Sequence, residues 1–393
     1  MDIKEVKKLY GEYVLPTYFY QDICLVKGEG IWVEDSEGKK YLDFFPGWAV
    51  SGSGHRHPKV ISRMAEQMKK ILHVSNNFYN ELQGQLAKKI VDNSFPGKVF
   101  FGNSGAEANE GAIKLARKYG NPERYEIITM ESSFHGRTLA TLTATGQEKV
   151  KKGFAPLPEG FKHIPFNDIA AFKAAITDKT VAVMLEPIQG EGGINVATQE
   201  YMSELGRICK EKDILLILDE VQTCMGRTGE IFAYKHYDVE PDAMTLAKSL
   251  GGGMPIGAMV VNQKRLDVLT AGTHASTFGG SPIVCSAALG VFEAIEEEGL
   301  LENVGEMSEY LVGKINELKE RSGLIGEIKG KGLMIGVVLN KTDASSIIEE
   351  CAKEGLLINC TQNNILRIMP PLTVTKEEID MAIEKLEKAL EKI

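Results

Sequence analysis

The residues best suited to chemistry in this chain are a lysine beside a run of glycines and a carboxylate that ends an apolar run. The stretch Ile214-Leu215-Leu216-Ile217-Leu218 stops at Asp219-Glu220-Val221-Gln222. Pro241-Asp242-Ala243-Met244-Thr245-Leu246-Ala247 then leads into Lys248, followed by Ser249-Leu250-Gly251-Gly252-Gly253. A buried strand that delivers a carboxylate, then a lysine on a glycine-rich loop, suits pyridoxal phosphate. That cofactor needs a lysine amine for its Schiff base and an anion to keep its ring nitrogen protonated. An acceptor-only carboxylate beside the pyridinium raises its pKa and keeps the ring an electron sink. Many strands end in Asp, so the pair alone does not decide.

Four other segments bear on the choice. Phe100-Phe101-Gly102-Asn103-Ser104-Gly105-Ala106-Glu107 follows a strand and opens a helix. The free N–H groups of the first helical turn can face an anion there, and Gly105 allows close approach. The plain alternative is a capped helix, with Ser104 as N-cap and Glu107 completing a capping box. Ser133-Phe134-His135-Gly136-Arg137-Thr138 offers an aromatic face for a flat ring and a guanidinium for a carboxylate; the alternative is a surface loop. Leu185-Glu186-Pro187-Ile188-Gln189-Gly190-Glu191-Gly192-Gly193 puts two carboxylates and an amide on a glycine-rich strand exit. Thr273-His274-Ala275-Ser276-Thr277-Phe278-Gly279-Gly280 clusters hydroxyls that can hold a phosphate or simply make a turn. His55-Arg56-His57 lacks further ligands at metal spacing, and His57-Pro58 reads as a helix entry, so no metal site is expected.

Short apolar runs at Val99–Phe101, Ile127–Thr129, Val181–Leu185, Leu215–Leu218 and Ala258–Val261 alternate with helical patterns such as Ala106–Tyr119 and Tyr201–Lys212. That alternation predicts an α/β domain with a mostly parallel sheet, whose ligands bind beyond the carboxyl ends of its strands. Asp219 and Glu186 would both sit there. In the C-terminal part, Leu300, Val304, Met307, Leu311, Ile315 and Leu318 form one helical stripe. Ile379, Ile383, Leu386, Leu390 and Ile393 form another, with strands over Leu333–Leu339 and Ile365–Ile368 between them. This predicts a smaller α+β domain. The expected division is residues 1–50 joining the small domain, 51–289 as the large domain and 290–393 as the C-terminal small domain.

At 393 residues the chain is long enough for two domains. A net charge of −9 argues against nucleic acid as the main partner. Six cysteines without a CxxC pair read as reduced structural thiols. No secretory h-region or membrane-length apolar stretch is present, and a cytoplasmic protein with no membrane partner is expected.

Taken together, these segments resemble the class III, fold type I pyridoxal-phosphate-dependent aminotransferases, with a pattern most like the acetylornithine aminotransferases. The resemblance runs from Gly30-Ile31-Trp32-Val33 through Gly54–Pro58, Asn103–Glu110, Phe134–Thr138, Glu186–Gly193, Asp219–Gln222, Lys248 and Ser276–Gly280 to Leu366-Arg367 and Pro370–Thr373. It implies a large domain with a mostly parallel seven-stranded sheet and a small α+β domain built from both termini. It implies that Lys248 carries the cofactor and that Asp219 pairs with the ring nitrogen. The neighbouring Glu220 and Val221 join Gln222, near the ring hydroxyl, in lining the cofactor site. Phe134 would stack on the ring, while Ser104, Gly105 and Ala106 hold the phosphate. Thr277 would reach the phosphate of a neighbouring subunit's cofactor, making a homodimer with shared sites. Arg137 and Ser276 match substrate-contacting positions, and Glu191 with Arg367 match a pair that relatives use to handle two substrates. Acetylornithine enzymes usually carry a small aliphatic where this chain has Trp48. The run Ser51-Gly52-Ser53-Gly54 also departs from their Asn-containing pattern. That region approaches the distal end of the substrate in relatives, so it bears on the acyl group.

The implied activity is a ping-pong transamination from N-acetylornithine to 2-oxoglutarate, yielding a semialdehyde and glutamate. Ornithine, succinylornithine, 4-aminobutyrate and carrier-linked lysine are alternative donors, and an aminomutase is an alternative reaction on the same fold. A dinucleotide-dependent dehydrogenase would require Gly-x-Gly-x-x-Gly after the first strand, which is missing. A binding protein that lost its chemistry would have no need of Lys248 and Asp219 together.

Overall fold

The computed structural model of the chain describes residues 1–340 and 344–392. Its central sheet has seven strands in the order Gly97–Gly102, Gly257–Asn262, Ala243–Leu246, Leu215–Asp219, Thr180–Leu185, Glu126–Met130 and Phe161–Ile164. Gly257–Asn262 runs antiparallel to both its neighbours, and the other pairings are parallel. Each of the five runs expected to be a strand is one. Two strands escape a reading of hydrophobic runs: Phe161–Ile164, at the sheet edge, and Ala243–Leu246, whose Thr245 interrupts the apolar pattern although it is buried.

The strands Thr180–Leu185 and Leu215–Asp219 are buried along their whole length. Burial on both faces is why they read as unbroken apolar runs rather than as alternation. Helices Gly105–Gly120 and Gln199–Lys212 pack against the sheet through Ile113, Leu115 and Ala116, and through Met202, Leu205 and Ile208.

Two further four-stranded sheets stand beside it. Ile325–Lys331, Met334–Leu339, Ile365–Ile368 and Asn359–Thr361 form one. The other joins the N-terminal strands Leu25–Glu29, Trp32–Asp35 and Lys40–Asp43 to Leu356–Leu357, which pairs parallel with Lys40–Asp43. Segments from both ends of the chain therefore share a sheet. Helix Leu300–Ser322 buries the six residues of its expected stripe, and helix Lys376–Leu390 buries Ile379, Ile383, Leu386 and Leu390. Ile393 lies outside the described residues. Residues 289 and 290, where the change of domain is expected, lie within the continuous helix Pro282–Glu297, in which Leu289 and Val291 are buried.

His57 precedes helix Pro58–Met68, with Pro58 in the first turn. His55 and His57 part company: His55 Nε2 meets Asp43 Oδ2 at 2.8 Å and His57 Nε2 meets Glu298 Oε2 at 3.2 Å. Cys24, Cys209, Cys224, Cys285 and Cys351 are free thiols. Among the described residues, no helix is long and apolar enough to cross a membrane.

Candidate active site

The carboxyl ends of the central strands open into a cavity of ≈ 530 Å³. Ser104, Gly105, Ala106, Phe134, Arg137, Glu191, Asp219, Val221, Gln222 and Lys248 all line it. Segments spread over more than a hundred positions of sequence are thereby brought to one place.

Asp219 forms the floor. It is the last residue of its strand and is 3 % exposed. Its Oδ2 accepts from Asn109 Nδ2 at 2.7 Å and meets His135 Nδ1 at the same distance, while Oδ1 accepts from Val221 N at 3.0 Å. Asn109 is itself aimed by Thr245, which donates to Asn109 Oδ1 at 2.6 Å, and Asn109 Nδ2 also reaches the His135 carbonyl at 2.7 Å. Burial pulls the His135 pKa down, but the bond to Asp219 and the charges of Asp219 and Glu186 outweigh it and leave it raised. The His135 Nε2 atom is buried and has no partner. The result is a carboxylate fixed by three donors.

Lys248 follows Ala247, beyond the end of Ala243–Leu246, and opens a short 3-10 turn with φ +43°. A left-handed backbone at a residue with a side chain is costly and persists only where the surroundings enforce it. Burial lowers the lysine's pKa and Arg367 pushes the same way, opposed by Glu191, Asp219 and Glu186. The neutral, nucleophilic amine is thereby favoured nearer to neutral pH than in an exposed lysine.

Ser104 caps helix Gly105–Gly120, its hydroxyl accepting from Glu107 N at 3.2 Å. The capping box of the plain alternative is not completed. Glu107 reaches one residue further back, accepting from Asn103 N at 2.5 Å and Asn103 Nδ2 at 2.9 Å. The amides of Gly105 and Ala106, in the first turn, remain for an anion in the cavity. A Cβ on Gly105 would come within 2.7 Å of Val221, so glycine lets the helix start close against the cavity wall.

Glu186 accepts from Phe134 N at 3.1 Å and Gly190 N at 3.2 Å. Burial pushes its pKa up to about 7, helped by Asp219 and opposed by His135 and the two amides. Gln222 is buried with both side-chain polar atoms unpartnered, and a Cβ on Gly190 would overlap its amide oxygen. A donor and an acceptor kept without partners in a lined cavity are matched to a polar ligand.

At the rim, Glu191 Oε1 meets Arg367 Nη1 at 2.5 Å. Arg367 is 1 % exposed and does not itself line the cavity. Phe45 and Trp48 place their rings 4.7 and 5.4 Å from its guanidinium carbon. Arg137 is exposed, its guanidinium carbon 5.6 Å from the Phe134 ring.

Four expected site residues do not line this cavity: Arg367, as described above, and Glu220, Ser276 and Thr277. Glu220 turns inward, accepting from Ala233 N at 2.6 Å, Tyr234 N at 2.7 Å and the Thr223 hydroxyl at 3.0 Å. It anchors the loop after the strand, because the residue following Asp219 points the other way. Ser276 bonds Gly279 N at 3.1 Å and Asn103 Nδ2 at 3.3 Å, and Thr277 is exposed.

These residues fit pyridoxal phosphate. Gly105 and Ala106 would hold its phosphate, Phe134 and Val221 its faces, and Asp219 its ring nitrogen. Gln222, with its unpartnered amide, would meet the ring hydroxyl, and Lys248 its aldehyde carbon.

The family model for class III aminotransferases matches residues 17–390. The chain belongs to the class III aminotransferases. Within that class it is 52% identical over 386 residues to an acetylornithine aminotransferase of Caldanaerobacter subterraneus subsp. tengcongensis, spanning 97% of this chain and 98% of the relative. An acetylornithine aminotransferase of Methanocaldococcus jannaschii is 50% identical over 389 residues, spanning 98% of both. Among solved structures, the ornithine aminotransferase of Toxoplasma gondii, with PLP at partial occupancy in its active site, superposes with a TM-score of 0.93 at 32% identity. It covers 98% of this chain and 94% of that one.

Proposed function

We propose that this aminotransferase moves the ω-amino group of N-acetylornithine to 2-oxoglutarate, yielding a semialdehyde and glutamate, with pyridoxal phosphate as cofactor. The observation that carries the proposal is a single cavity lined by Lys248, Asp219 and Glu191, whose carboxylate is ion-paired with Arg367 behind the cavity wall. When bound, pyridoxal phosphate supplies a carbon that takes up the amine and a ring that accepts the electron pair left by a departing proton.

The chain's own residues do the rest. Lys248 Nζ, made less basic by burial, takes the proton from the amine-bearing carbon of the substrate. Asp219, fixed at the cavity floor by Asn109 and His135, would accept the N–H of the bound cofactor's ring. Phe134 supplies a flat aromatic wall and Val221 a branched aliphatic one, which keep water from the reacting carbon.

Arg137 holds the carboxylate far from the reacting carbon in both half-reactions, as its planar fork suits. Glu191 masks Arg367 while the donor, with one carboxylate, is bound. When the donor's product has left, the dicarboxylate displaces Glu191 and takes the freed guanidinium. One pocket thus serves two unlike substrates in turn.

Sites shared across a homodimer belong to the same proposal. Thr277 and Ser276 lie on a loop that does not line its own cavity, and Phe278 beside them and Tyr79 are exposed aromatic groups. Work in the cytoplasm belongs to it too, resting on the cysteine usage set out above.

Free ornithine or N-succinylornithine is the second reading of the donor. Trp48 supports it, as a large half-exposed ring beside Arg367 where acetylornithine enzymes usually carry a small aliphatic. Rapid mixing of the pyridoxal form with a panel of ω-amino donors decides the point. N-acetylornithine should convert the enzyme to its pyridoxamine form fastest. Faster conversion by another donor would reassign the substrate, and conversion by none would overturn the proposal.

A further inference from the structure

Arg367 carries five N–H donors in a fixed fork. Nε donates to Asn359 Oδ1 at 2.9 Å, and Nη2 donates to the same oxygen. Nη1 donates to Gly190 O at 3.3 Å and to Glu191 Oε1 at 2.5 Å. The side edge of the guanidinium is therefore held by one neutral acceptor, and its end edge faces Glu191.

The arrangement follows from strand register. Asn359 and Arg367 are directly opposite each other in the antiparallel pair Asn359–Thr361 and Ile365–Ile368, so their side chains share a face of the sheet. Phe45 and Trp48 flank the guanidinium from a different segment, 4.7 and 5.4 Å from its central carbon. A planar cation held along one edge and against aromatic rings has little freedom to follow Glu191 away. Glu191, by contrast, is held through its backbone: its carbonyl accepts from the Thr361 hydroxyl at 2.7 Å and from Gln362 Nε2 at 3.0 Å. Its side chain is one-fifth exposed and meets Arg367 through one oxygen. The carboxylate can leave while both backbones stay.

The acceptor at 359 matters by its charge. A carboxylate there would make the same fork and neutralise Arg367 permanently. An amide oxygen fixes the same edge and leaves the positive charge unspent. We propose that Asn359 is a positioning residue that aims Arg367 while keeping it cationic, so that Glu191 is the one anion to be displaced before a dicarboxylate binds. This rests on the reading above, in which Arg367 takes a carboxylate of 2-oxoglutarate and glutamate.

Asn359→Asp tests it with almost no change of shape, measured by rapid mixing of each half-reaction separately: the pyridoxal form with N-acetylornithine and the pyridoxamine form with 2-oxoglutarate. The specificity constant for 2-oxoglutarate should fall by roughly 10- to 100-fold, the scale of one charge-assisted hydrogen-bonded contact, mainly as weaker saturation. The constant for N-acetylornithine should fall far less. Asn359→Ala, which frees the edge without neutralising it, should move the same ratio in the same direction by a smaller factor. Arg367→Ala is the reference. If Arg367→Ala shifts the ratio and Asn359→Asp does not, or if Asn359→Asp damages both halves equally, the role of Asn359 is overturned while the reading of Arg367 stands. If Arg367→Ala leaves the ratio unchanged, that reading fails and the role of Asn359 falls with it.

Discussion

The hydroxyl of Ser249 donates to the carbonyl of Ala49 at 2.6 Å, tying the residue after the reactive lysine to the turn that presents Trp48. Left-handed residues stand beside both ends of this bond. Lys248 has φ +43°, and Gly47, Trp48 and Ala49 have φ +58°, +64° and +64°. Val50 N closes that turn onto Pro46 O at 2.9 Å. Successive left-handed residues with side chains cost roughly 1–2 kcal/mol each, so the turn needs a bond of this kind to hold it.

Ser249→Ala should therefore loosen both. Losing a buried bond and leaving the Ala49 carbonyl unpaired costs about 1–3 kcal/mol, which thermal unfolding would register as a fall of several degrees. Turnover should drop about tenfold as lysine and aromatic wall lose registration. Unchanged stability and turnover would show the bond to be incidental.

Asp219→Asn should keep the cofactor and lose roughly two to three orders of magnitude in turnover, the scale of removing a key electrostatic partner. The amide cannot stabilise a protonated ring, and its NH2 would confront the donors of Asn109 and His135. Single-turnover rates with N-acetylornithine measure this. A rate near that of the parent would remove Asp219 from its role, whereas Lys248→Ala should abolish turnover outright.

Glu186 gives a pH prediction. Burial raises its folded pKa to about 7, above the ordinary carboxyl value of 4.5. The fold thus favours the protonated acid, and this contribution to stability is full below the ordinary value and lost as pH rises through about 7. Glu186→Gln should lose nothing in that window. In the cofactor-free protein, the melting temperature of the variant relative to the parent should rise between about pH 5 and pH 8, and parallel curves would contradict it.

Thr277 tests the shared sites. A Thr277→Ala chain with impaired turnover, mixed with a Lys248→Ala chain, should give heterodimers with one repaired site and one doubly damaged site. Activity above the sum of the two parents after proven subunit exchange is the expected outcome. None would mean that each chain completes its own site.

Periodicity made the large elements legible: the stripe from Leu300 to Leu318 and the runs at Val181–Leu185 and Leu215–Leu218 bury as their patterns require. Lys248, Asp219 and Gly105 were legible because strand ends and glycine loops announce themselves locally. The partners of these groups were not. Asn109 lies on a helix face with the buried Ala108, Ala112 and Ala116, where a polar residue signals a buried hydrogen bond. His135 sat inside a segment read for its aromatic and arginine. Asn359 carries no local signal, since its meaning comes only from standing opposite Arg367 across a strand pair. The inward turn of Glu220 was hidden for the same reason: side-chain direction beyond a strand end is set by the loop that packs there.

The strand pairing of the central sheet has one more consequence. The strand that ends at Gly102, before the Ser104 helix cap, and the strand Ala243–Leu246, before Lys248, are separated only by Gly257–Asn262. Two inter-strand steps, about 10 Å in all, act as a gauge block between the anion cradle and the reactive amine. Arg367, Asn359 and Trp48 are carried elsewhere, on the C-terminal sheet and the strained turn. The catalytic frame and the selecting parts are thus separate components of the molecule. Changes of substrate preference can accumulate in the second provided the Ser249–Ala49 bond that joins it to the first is kept.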